Sequence, residues 1–348
     1  MSKFGQTPLS ILDLAPIRAG GTATTAFANM VDLARHGERL GYNRFWLAEH
    51  HNMPGIASSA TAVLIGHVAG ATKRIRVGSG GVMLPNHAPL VIAEQFGTLE
   101  ALYPGRIDLG LGRAPGTDPA TMRALRRDLV DDDNAFPQNV LELLALLAPA
   151  VENQKLRAVP GAGSNVPVWL LGSSTFSAQL SALLGLPFAF ASHFAPQRLM
   201  DAIAVYRQHF RPSEYLDKPH IMVGLPVIAA ATDEKARFLA TTQFQRLVNL
   251  VRGKPTILLP PVESMDGLWD EREEAYVASH LGVAAIGGPA TVKSRLESII
   301  EETGADELII TSDFYDHDDR IRSFEIVMEA RAAAATEAPP ERMRAAGR

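Results

Sequence analysis

The sequence predicts an α/β protein built as a (β/α)8 TIM barrel. Short apolar, β-prone runs alternate with longer runs of helical character along its 348 residues, which is typical of βα units around a parallel sheet. Eight such units can be counted, and eight is the number that closes a barrel. The competing open sheet needs a phosphate-binding glycine fingerprint directly after the first strand, and LDLAPIRAGG does not contain one.

The predicted strands are apolar, β-branched runs bounded by glycine, proline or charge. They are Leu9–Leu14, Arg44–Ala48, Arg74–Gly80, Arg106–Leu111, Val166–Leu171, Pro187–Ala191, Ile221–Ala229 and Glu307–Ser312. Runs of helical character predict helices between and after the strands. These helices are Ala26–Leu40, Ala60–Ala71, Leu90–Leu102, Leu199–His209, Ala290–Glu302 and Arg320–Ala334.

Two stretches interrupt this alternation. Residues 252–276 are long, contain proline and mix polar with apolar side chains, so we interpret them as an insertion between the seventh and eighth βα units. Residues 332–348 are small, polar and proline-containing, which is typical of a flexible tail. The sequence therefore predicts one barrel domain over residues 1–331 and a tail over residues 332–348.

Composition excludes several classes of function. The chain has 47% hydrophobic residues and a net charge of -5, and it lacks the basic stripe that nucleic-acid binding requires. It contains no cysteine, which rules out disulfides, thiolate zinc sites and cysteine nucleophiles. Neither a signal peptide nor an apolar run of membrane-spanning length is present. A cytoplasmic protein without nucleic-acid or membrane partners is expected.

Polar residues follow five of the predicted strands. Because a barrel of this kind builds its active site at the C-terminal ends of its strands, these side chains should converge. They are Glu49, His50 and His51 after strand two, Asn86 and His87 after strand three, Arg113 after strand four, Ser173 and Ser174 after strand five, and Ser192 and His193 after strand six.

The stretch WLLGSSTFS predicts an anion site. A strand ends at Gly172, the hydroxyls of Ser173 and Ser174 follow, and a helix begins, so free backbone N–H groups and the helix dipole would face a bound phosphate. Arg113 could add charge-assisted hydrogen bonds from the neighbouring strand end. The alternatives are that a serine only caps the helix and that Arg113 is a solvated surface residue.

The stretch RVGSGGVM places glycines at positions 78, 80 and 81, inside a predicted strand. Glycine weakens a strand, so its presence indicates a bulge, a close approach to a flat ligand or an unusual peptide geometry. A kink that serves only barrel packing is an equally good explanation.

His50 and His51 also allow a metal site, completed by Glu49, His87, His193 or His317. Adjacent residues at a strand end point in opposite directions, so a single site is not expected to use both histidines. A metal-dependent barrel hydrolase is therefore the less favoured alternative.

Taken together, the motifs AEHH, GGVMLPNHAP, YPGR, LGLGR and LGSS occur in an order that resembles the bacterial luciferase-like flavin-dependent monooxygenases. The resemblance covers most of the chain from the first strand to about Glu329. It implies a (β/α)8 barrel that binds reduced FMN at the C-terminal strand ends. An insertion between the seventh and eighth units is also typical of that family.

The resemblance implies roles for individual residues. The FMN phosphate would lie between Arg113 and the turn of Gly172, Ser173 and Ser174, and the isoalloxazine near Gly80, Gly81 and Val82. The family commonly has a non-prolyl cis peptide there, and we expect it between Gly80 and Gly81. His50 matches the catalytic histidine. The remaining expected pocket residues are Ser58, Ser59, Ser192 and His193.

The activity implied is oxygenation of a small, hydrophobic organic substrate by a C4a-peroxyflavin formed from reduced FMN and O2. His50 would act as general acid or base. Gly112 stands where luciferase carries a reactive cysteine, which argues for a non-luminescent member. The chain has no nicotinamide-binding fingerprint, so a separate flavin reductase is expected, and the resemblance implies a homodimer.

Three other functions remain open at this point. The protein could be a reductase or dehydrogenase that uses a deazaflavin, an FMN-dependent oxidoreductase that does not oxygenate, or a non-catalytic flavin-binding protein. The deazaflavin enzyme would have the same fold. The sequence does not identify the substrate.

Overall fold

The computed structural model describes residues 2–114, 119–125 and 135–336. Its strands are β1 (Leu9–Asp13), β2 (Arg44–Leu47), β3 (Arg76–Met83), β4 (Ile107–Gly112), β5 (Val168–Gly172), β6 (Phe188–Ala191), β7 (Ile221–Ala229), β8 (Ala285–Gly287) and β9 (Glu307–Thr311). Strands β1 to β7 pair in parallel in chain order, and β9 pairs with both β7 and β1. The closed eight-stranded barrel predicted from the sequence is confirmed.

Helices surround this barrel. They are α1 (Lys3–Gln6), α2 (Ala23–Leu40), α3 (Thr61–Ala71), α4 (Pro89–Leu102), α5 (Pro119–Leu125), α6 (Ala135–Leu147), α7 (Thr175–Leu184), α8 (Leu199–His209), α9 (Asp233–Val251), α10 (Glu271–His280), α11 (Pro289–Thr303) and α12 (His317–Thr336). Local chemistry sets several ends: the Thr22 side chain caps α2, and Gly41 ends it with a φ of 86°. The six helices predicted from the sequence agree with the observed ones to within three residues at each end.

Two layers of apolar side chains hold the barrel together. The larger layer lies between the strands and the helices and includes Ile11, Phe45 and Val77. The smaller fills the barrel interior around Trp46 and Trp169, whose rings meet edge to face with centroids 5.3 Å apart. Since successive residues of a strand face opposite sides, each strand contributes to both layers.

Buried ion pairs close the N-terminal end of the barrel. Arg44, at the start of β2, pairs with Asp108 at 2.7 Å and with Glu307 at 3.1 Å, and Arg76 pairs with Asp108 at 2.6 Å. Burial raises the pKa of Glu307, but the hydrogen bonds and the charge of its neighbours, including Arg44 and Ser10, outweigh this and hold the pKa below its ordinary value.

The two interrupting stretches have defined positions. Residues 252–270 form a loop and residues 271–276 begin α10. Leu258 in this loop pairs with the segment after β1, because its carbonyl accepts the N–H of Ala19 at 2.8 Å. Helix α12 takes in residues 332–336, which the sequence assigned to the tail, and residues 337–348 lie outside the described part of the chain.

The short strand β8 was not predicted. It pairs with the last residues of β7, from Val227 to Ala229, while the earlier residues of β7 pair with β9. Among the described helices, none combines the length and the apolar composition that crossing a lipid bilayer would require.

Candidate active site

Two adjoining cavities open at the C-terminal end of the barrel. With the space that opens to solvent included, the first has a volume of about 800 Å³ and the second about 1030 Å³. They share five lining residues, which are Leu12, Gly80, Met83, His193 and Phe194. A ligand in the first cavity therefore borders the second.

Gly172, Ser173 and Ser174 line the first cavity at the N-terminus of α7. Ser174 is the N-cap residue, but its side chain makes no capping hydrogen bond within the described chain. The helix-capping alternative is therefore not what the structure shows. Because Ser177 packs directly against Gly172, a Cβ at that position has no space. This turn can present backbone N–H groups and two hydroxyls to an anion.

Arg113 follows β4 and lines the same cavity. Its guanidinium lies over the ring of Phe176, in the first turn of α7, with the Cζ atom 4.4 Å from the ring centroid. This contact brings a fixed positive charge to the helix end where Ser173 and Ser174 lie. The arrangement suits a phosphate, which takes charge-assisted hydrogen bonds from arginine and from helix N-termini.

Glycines of β3 form one wall of the first cavity. The peptide bond between Gly80 and Gly81 is cis, at the expected position, and the pairing of β3 with β4 shifts register between Ser79 and Val82. A Cβ on Gly80 would lie 2.6 Å from Leu12 Cδ1, and one on Gly81 would lie 2.7 Å from the Gly110 carbonyl oxygen. Both explanations given for these glycines therefore apply: they allow close packing in the barrel, and they form a cavity wall without side chains.

Four predicted site residues do not line either cavity. Val82 belongs to the core between barrel and helices, and the Ser192 hydroxyl donates to the Gly224 carbonyl at 2.5 Å. Ser58 is fully buried, and its hydroxyl has no hydrogen-bond partner in the described part of the chain. Ser59 is exposed.

His50 lines the second cavity, together with Met53 and Ile56 of the turn that follows it. The backbone N–H of His50 donates to the Ser58 carbonyl at 3.1 Å, which closes this turn. Gly55 in the middle of the turn accepts a hydrogen bond from the N–H of Ile17 at 2.9 Å. His50 therefore lies on an anchored loop and faces the cavity that Gly80 also lines.

Glu49 binds the two other histidines of this region. Its Oε1 atom lies 2.9 Å from His51 Nε2 and 2.7 Å from His87 Nε2, and its Oε2 accepts the N–H of Met83 at 3.2 Å. Burial raises the pKa of Glu49, but the hydrogen bonds and charge of His87, with those from His51 and Met83, outweigh it and lower the pKa. His50 and His51 diverge, as expected of neighbours at a strand end.

The metal alternative concerns these same residues. Glu49, His51 and His87 place one ligand atom each within 4.8 Å of one another, so their chemistry would suit a metal ion. The group uses His51 rather than His50, and its atoms are already in hydrogen-bond contact. His317 belongs elsewhere, because its Nε2 lies 2.9 Å from Asp32 Oδ2.

His193 lies where the two cavities meet. Desolvation lowers its pKa to about 4, and the nearby charges of His280 and Arg246 act in the same direction. The imidazole is therefore neutral at pH 7. Its Nδ1 atom is buried and has no hydrogen-bond partner among the described residues.

Helix α9 supplies lining residues that the sequence analysis missed. Gln243, Arg246, Leu247 and Leu250 line the second cavity, and their spacing of i, i+3, i+4 and i+7 places them on one helix face. Arg246 Nη1 donates to Asp313 Oδ2, and Asp313 follows β9. The sequence did contain a signal for these residues. The run QFQRLVNL follows the seventh strand, and its periodicity predicts a helix with one face turned towards the protein.

Known proteins resemble this chain over most of its length. A sequence profile of the luciferase-like monooxygenase family matches residues 7–307. A luciferase-like monooxygenase of Escherichia coli K12 is 53% identical over 92% of this chain and 96% of its own length. The N-acetyl-S-alkylcysteine monooxygenase of Bacillus subtilis is 38% identical over 66% of this chain and 69% of its own.

Solved structures share the fold. The crystal structure of apo-MsnO8 is 33% identical, with a TM-score of 0.84 over 93% of this chain and 98% of its own. Two more distant structures are the oxygenating constituent of a 3,6-diketocamphane monooxygenase from Pseudomonas putida with FMN, at 17% identity and TM-score 0.70, and an F420-dependent secondary alcohol dehydrogenase, at 14% and 0.65. The first match covers 98% of this chain and 100% of its own, and the second covers 93% and 99%. The chain belongs to the luciferase-like monooxygenase family.

Proposed function

We propose that this protein is a flavin-dependent monooxygenase that uses reduced FMN and O2 to oxygenate a small, mainly apolar organic molecule. The observation that carries the proposal is the anion site of Arg113, Ser173 and Ser174, which borders the glycine wall and the cavity of His50. A phosphate-bearing flat cofactor fits this combination. The family and its monooxygenase members support the reaction class.

Groups that line the first cavity would suit FMN. The N–H groups at the start of α7, the hydroxyls of Ser173 and Ser174 and the guanidinium of Arg113 would hold the phosphate. Gly80 and Gly81 would lie against the ring, because the wall they form has no side chains. Bound reduced flavin would supply the electrons that activate O2.

His50 is the residue to which we assign proton transfer. It lines the second cavity, to which Gly80 also contributes, so an imidazole nitrogen of His50 would give a proton to the reacting oxygen or remove one from the substrate. His193 also borders both cavities, but with a pKa of about 4 its imidazole is neutral at pH 7, so it is not matched to general acid catalysis at that pH. The two histidines thus have different roles.

The remaining lining residues orient the substrate and exclude water. Met53, Ile56, Leu247 and Leu250 give the second cavity an apolar wall, which favours a hydrophobic substrate and shields the reacting groups. We further propose that a separate reductase delivers the reduced flavin and that the enzyme is a homodimer. Both extend the family resemblance.

A binding and turnover experiment tests the proposal. The affinities of reduced FMN and reduced F420 are measured anaerobically by fluorescence, and the loaded protein is then mixed with isotopically labelled O2 and a panel of apolar ketones, aldehydes and thioethers. We expect selective FMN binding and one labelled oxygen atom in a product. Preference for F420 would favour the deazaflavin dehydrogenase, and FMN binding with no substrate-dependent O2 uptake would favour a flavin-binding protein.

A further inference from the structure

We propose that the second cavity selects a substrate with a neutral carboxamide attached to an apolar body, and that Gln243 is the residue that recognises the amide. This inference rests on the proposed function, because it names the substrate class of the same site. It comes from one buried side chain, from the pairing of the charges around it and from the apolar residues beside it.

The α9 face that borders the cavity has a polar half and an apolar half. Gln243 and Arg246 are one helical turn apart, and Leu247 and Leu250 continue the same face. Met53, Ile56 and Phe194 lie on other walls of the cavity. A ligand that fills the space therefore meets both the polar side chains of this helix face and apolar side chains of α9 and the other walls.

Gln243 has an unmet hydrogen-bonding requirement. Its side chain is 7% exposed, and its Oε1 atom is buried without a hydrogen-bond partner among the described residues. A buried carbonyl oxygen without a donor is unfavourable, so a ligand N–H that reaches it is bound preferentially. A side-chain amide offers one acceptor and two donors in a plane, and a second amide presents the matching set.

The charges around Gln243 disfavour an anionic substrate. Arg246 pairs with Asp313, and Arg320, which also lines the cavity, pairs with Asp13 at 2.7 Å. Desolvation is the largest effect that lowers the pKa of His280, and the same effect leaves His193 neutral. A carboxylate would thus enter a region whose arginines already have partners, at a desolvation cost.

Three ligands with the same chain length test the proposal. Octanamide has a donor and an acceptor, methyl octanoate has only acceptors, and octanoate is an anion. Their affinities for the protein are measured by isothermal titration calorimetry, with and without FMN. We expect octanamide to bind about tenfold more tightly than either of the others.

Variants of α9 assign the effect to Gln243. Gln243→Met keeps the length of the side chain without its amide, and should weaken octanamide binding about tenfold while changing methyl octanoate binding less than about twofold. Gln243→Glu keeps an acceptor oxygen and should still prefer octanamide to methyl octanoate. Gln245→Met is the matched control, since Gln245 is only half-buried, lines neither cavity and donates to the Pro260 carbonyl instead.

The outcomes separate this inference from the proposed function. Equal affinities for octanamide and methyl octanoate, tighter binding of octanoate, or an unchanged octanamide affinity in a folded Gln243→Met protein would each overturn it. The comparison of the three ligands on the unmodified protein needs no variant to fold. Failure to bind FMN would instead overturn the proposed function, and the selectivity without FMN would still report on the cavity.

Discussion

At the N-terminal end of the barrel the buried carboxylates of Asp108 and Glu307 each bind several donors, whereas at the C-terminal end buried atoms of His193 and Gln243 have no partner among the described residues. Asp108 and Glu307 lie on β4 and β9, whereas His193 follows β6 and Gln243 lies on α9. A satisfied buried network stabilises the fold, and an unsatisfied polar atom is retained where a ligand can complete it. We therefore call the N-terminal end of the barrel the folding end and its C-terminal end the binding end.

Trp46 marks the border between the two ends. Its indole Nε1 donates to Asp108 Oδ2 at 3.1 Å, while its side chain also lines the first cavity. The ring of Trp169 packs on its edge and lies under Arg44. Changes at one end should therefore have little effect on the properties of the other, and the following variants test this separation.

The largest expected effect is at the binding end. Replacing His50 with alanine should lower the rate of substrate oxygenation by about a hundredfold to ten-thousandfold, because the proton-transfer group is removed. The affinity for FMN and the free energy of unfolding should change little. His36→Ala on α2 is the control, since His36 Nδ1 bonds only locally, to the Asp32 carbonyl at 2.9 Å. Normal turnover in the His50 variant would refute the assignment.

At the folding end, Arg44→Met should lower the free energy of unfolding by about 3–5 kcal/mol, because two buried carboxylates lose a partner. Urea unfolding measures this, and FMN affinity should stay unchanged in the folded fraction. Arg322→Met is the matched control: Arg322 pairs with Glu325 and Glu329 on the surface of α12, where an ion pair contributes about 1 kcal/mol or less. Similar losses in both variants would contradict the comparison.

Arg113→Met should weaken FMN binding about tenfold to a hundredfold and leave riboflavin binding unchanged, because the guanidinium would contact only the phosphate. Fluorescence titration with the two ligands gives the ratio. Arg39→Met on α2, which lines neither of the two cavities, should alter neither affinity. Equal weakening for both ligands would place Arg113 away from the phosphate.

The smallest effect concerns pH. The pKa of Glu307 is lowered below 4.5 in the folded protein, so its stabilisation is complete above that pH and is lost as the pH falls through the folded value. Glu307→Gln removes this dependence. The difference in unfolding free energy between the two proteins, about 1–3 kcal/mol at pH 7, should narrow at pH 3. If the difference in unfolding free energy stays the same from pH 7 to pH 3, the pKa of Glu307 does not differ between the folded and unfolded states.

Sequence patterns predicted the barrel and much of the site for one physical reason. The C-terminal ends of parallel strands share one face, so residues that follow strands lie at that face: Arg113 and Ser174 line the first cavity, and His50 lines the second. The direction in which individual side chains point was harder to predict. Val82 was expected near the ring but faces the outer core, because the irregularity at Gly80 and Gly81 shifts the pairing of β3, and a shift of one residue reverses the face of every later side chain.

The α9 residues were missed for a different reason. The spacing of Gln243, Arg246 and Leu250 gives a helix face, but a sequence does not say what that face covers. In this fold it covers the mouth of the barrel and not only the strands. The pairing of Leu258 with the segment after β1 determines where the chain passes after α9, and this contact joins residues far apart in the sequence.

Glu49 has a consequence for how such enzymes diverge. Its carboxylate joins His51, at the start of the turn after β2, to His87, beyond β3. The turn that carries Met53 and Ile56 thus begins from a fixed point, beside His50. Mutations within residues 52–57 can reshape the substrate side of the cavity while the histidine keeps its place. Under the function we propose, natural selection can therefore change which substrates bind without displacing His50.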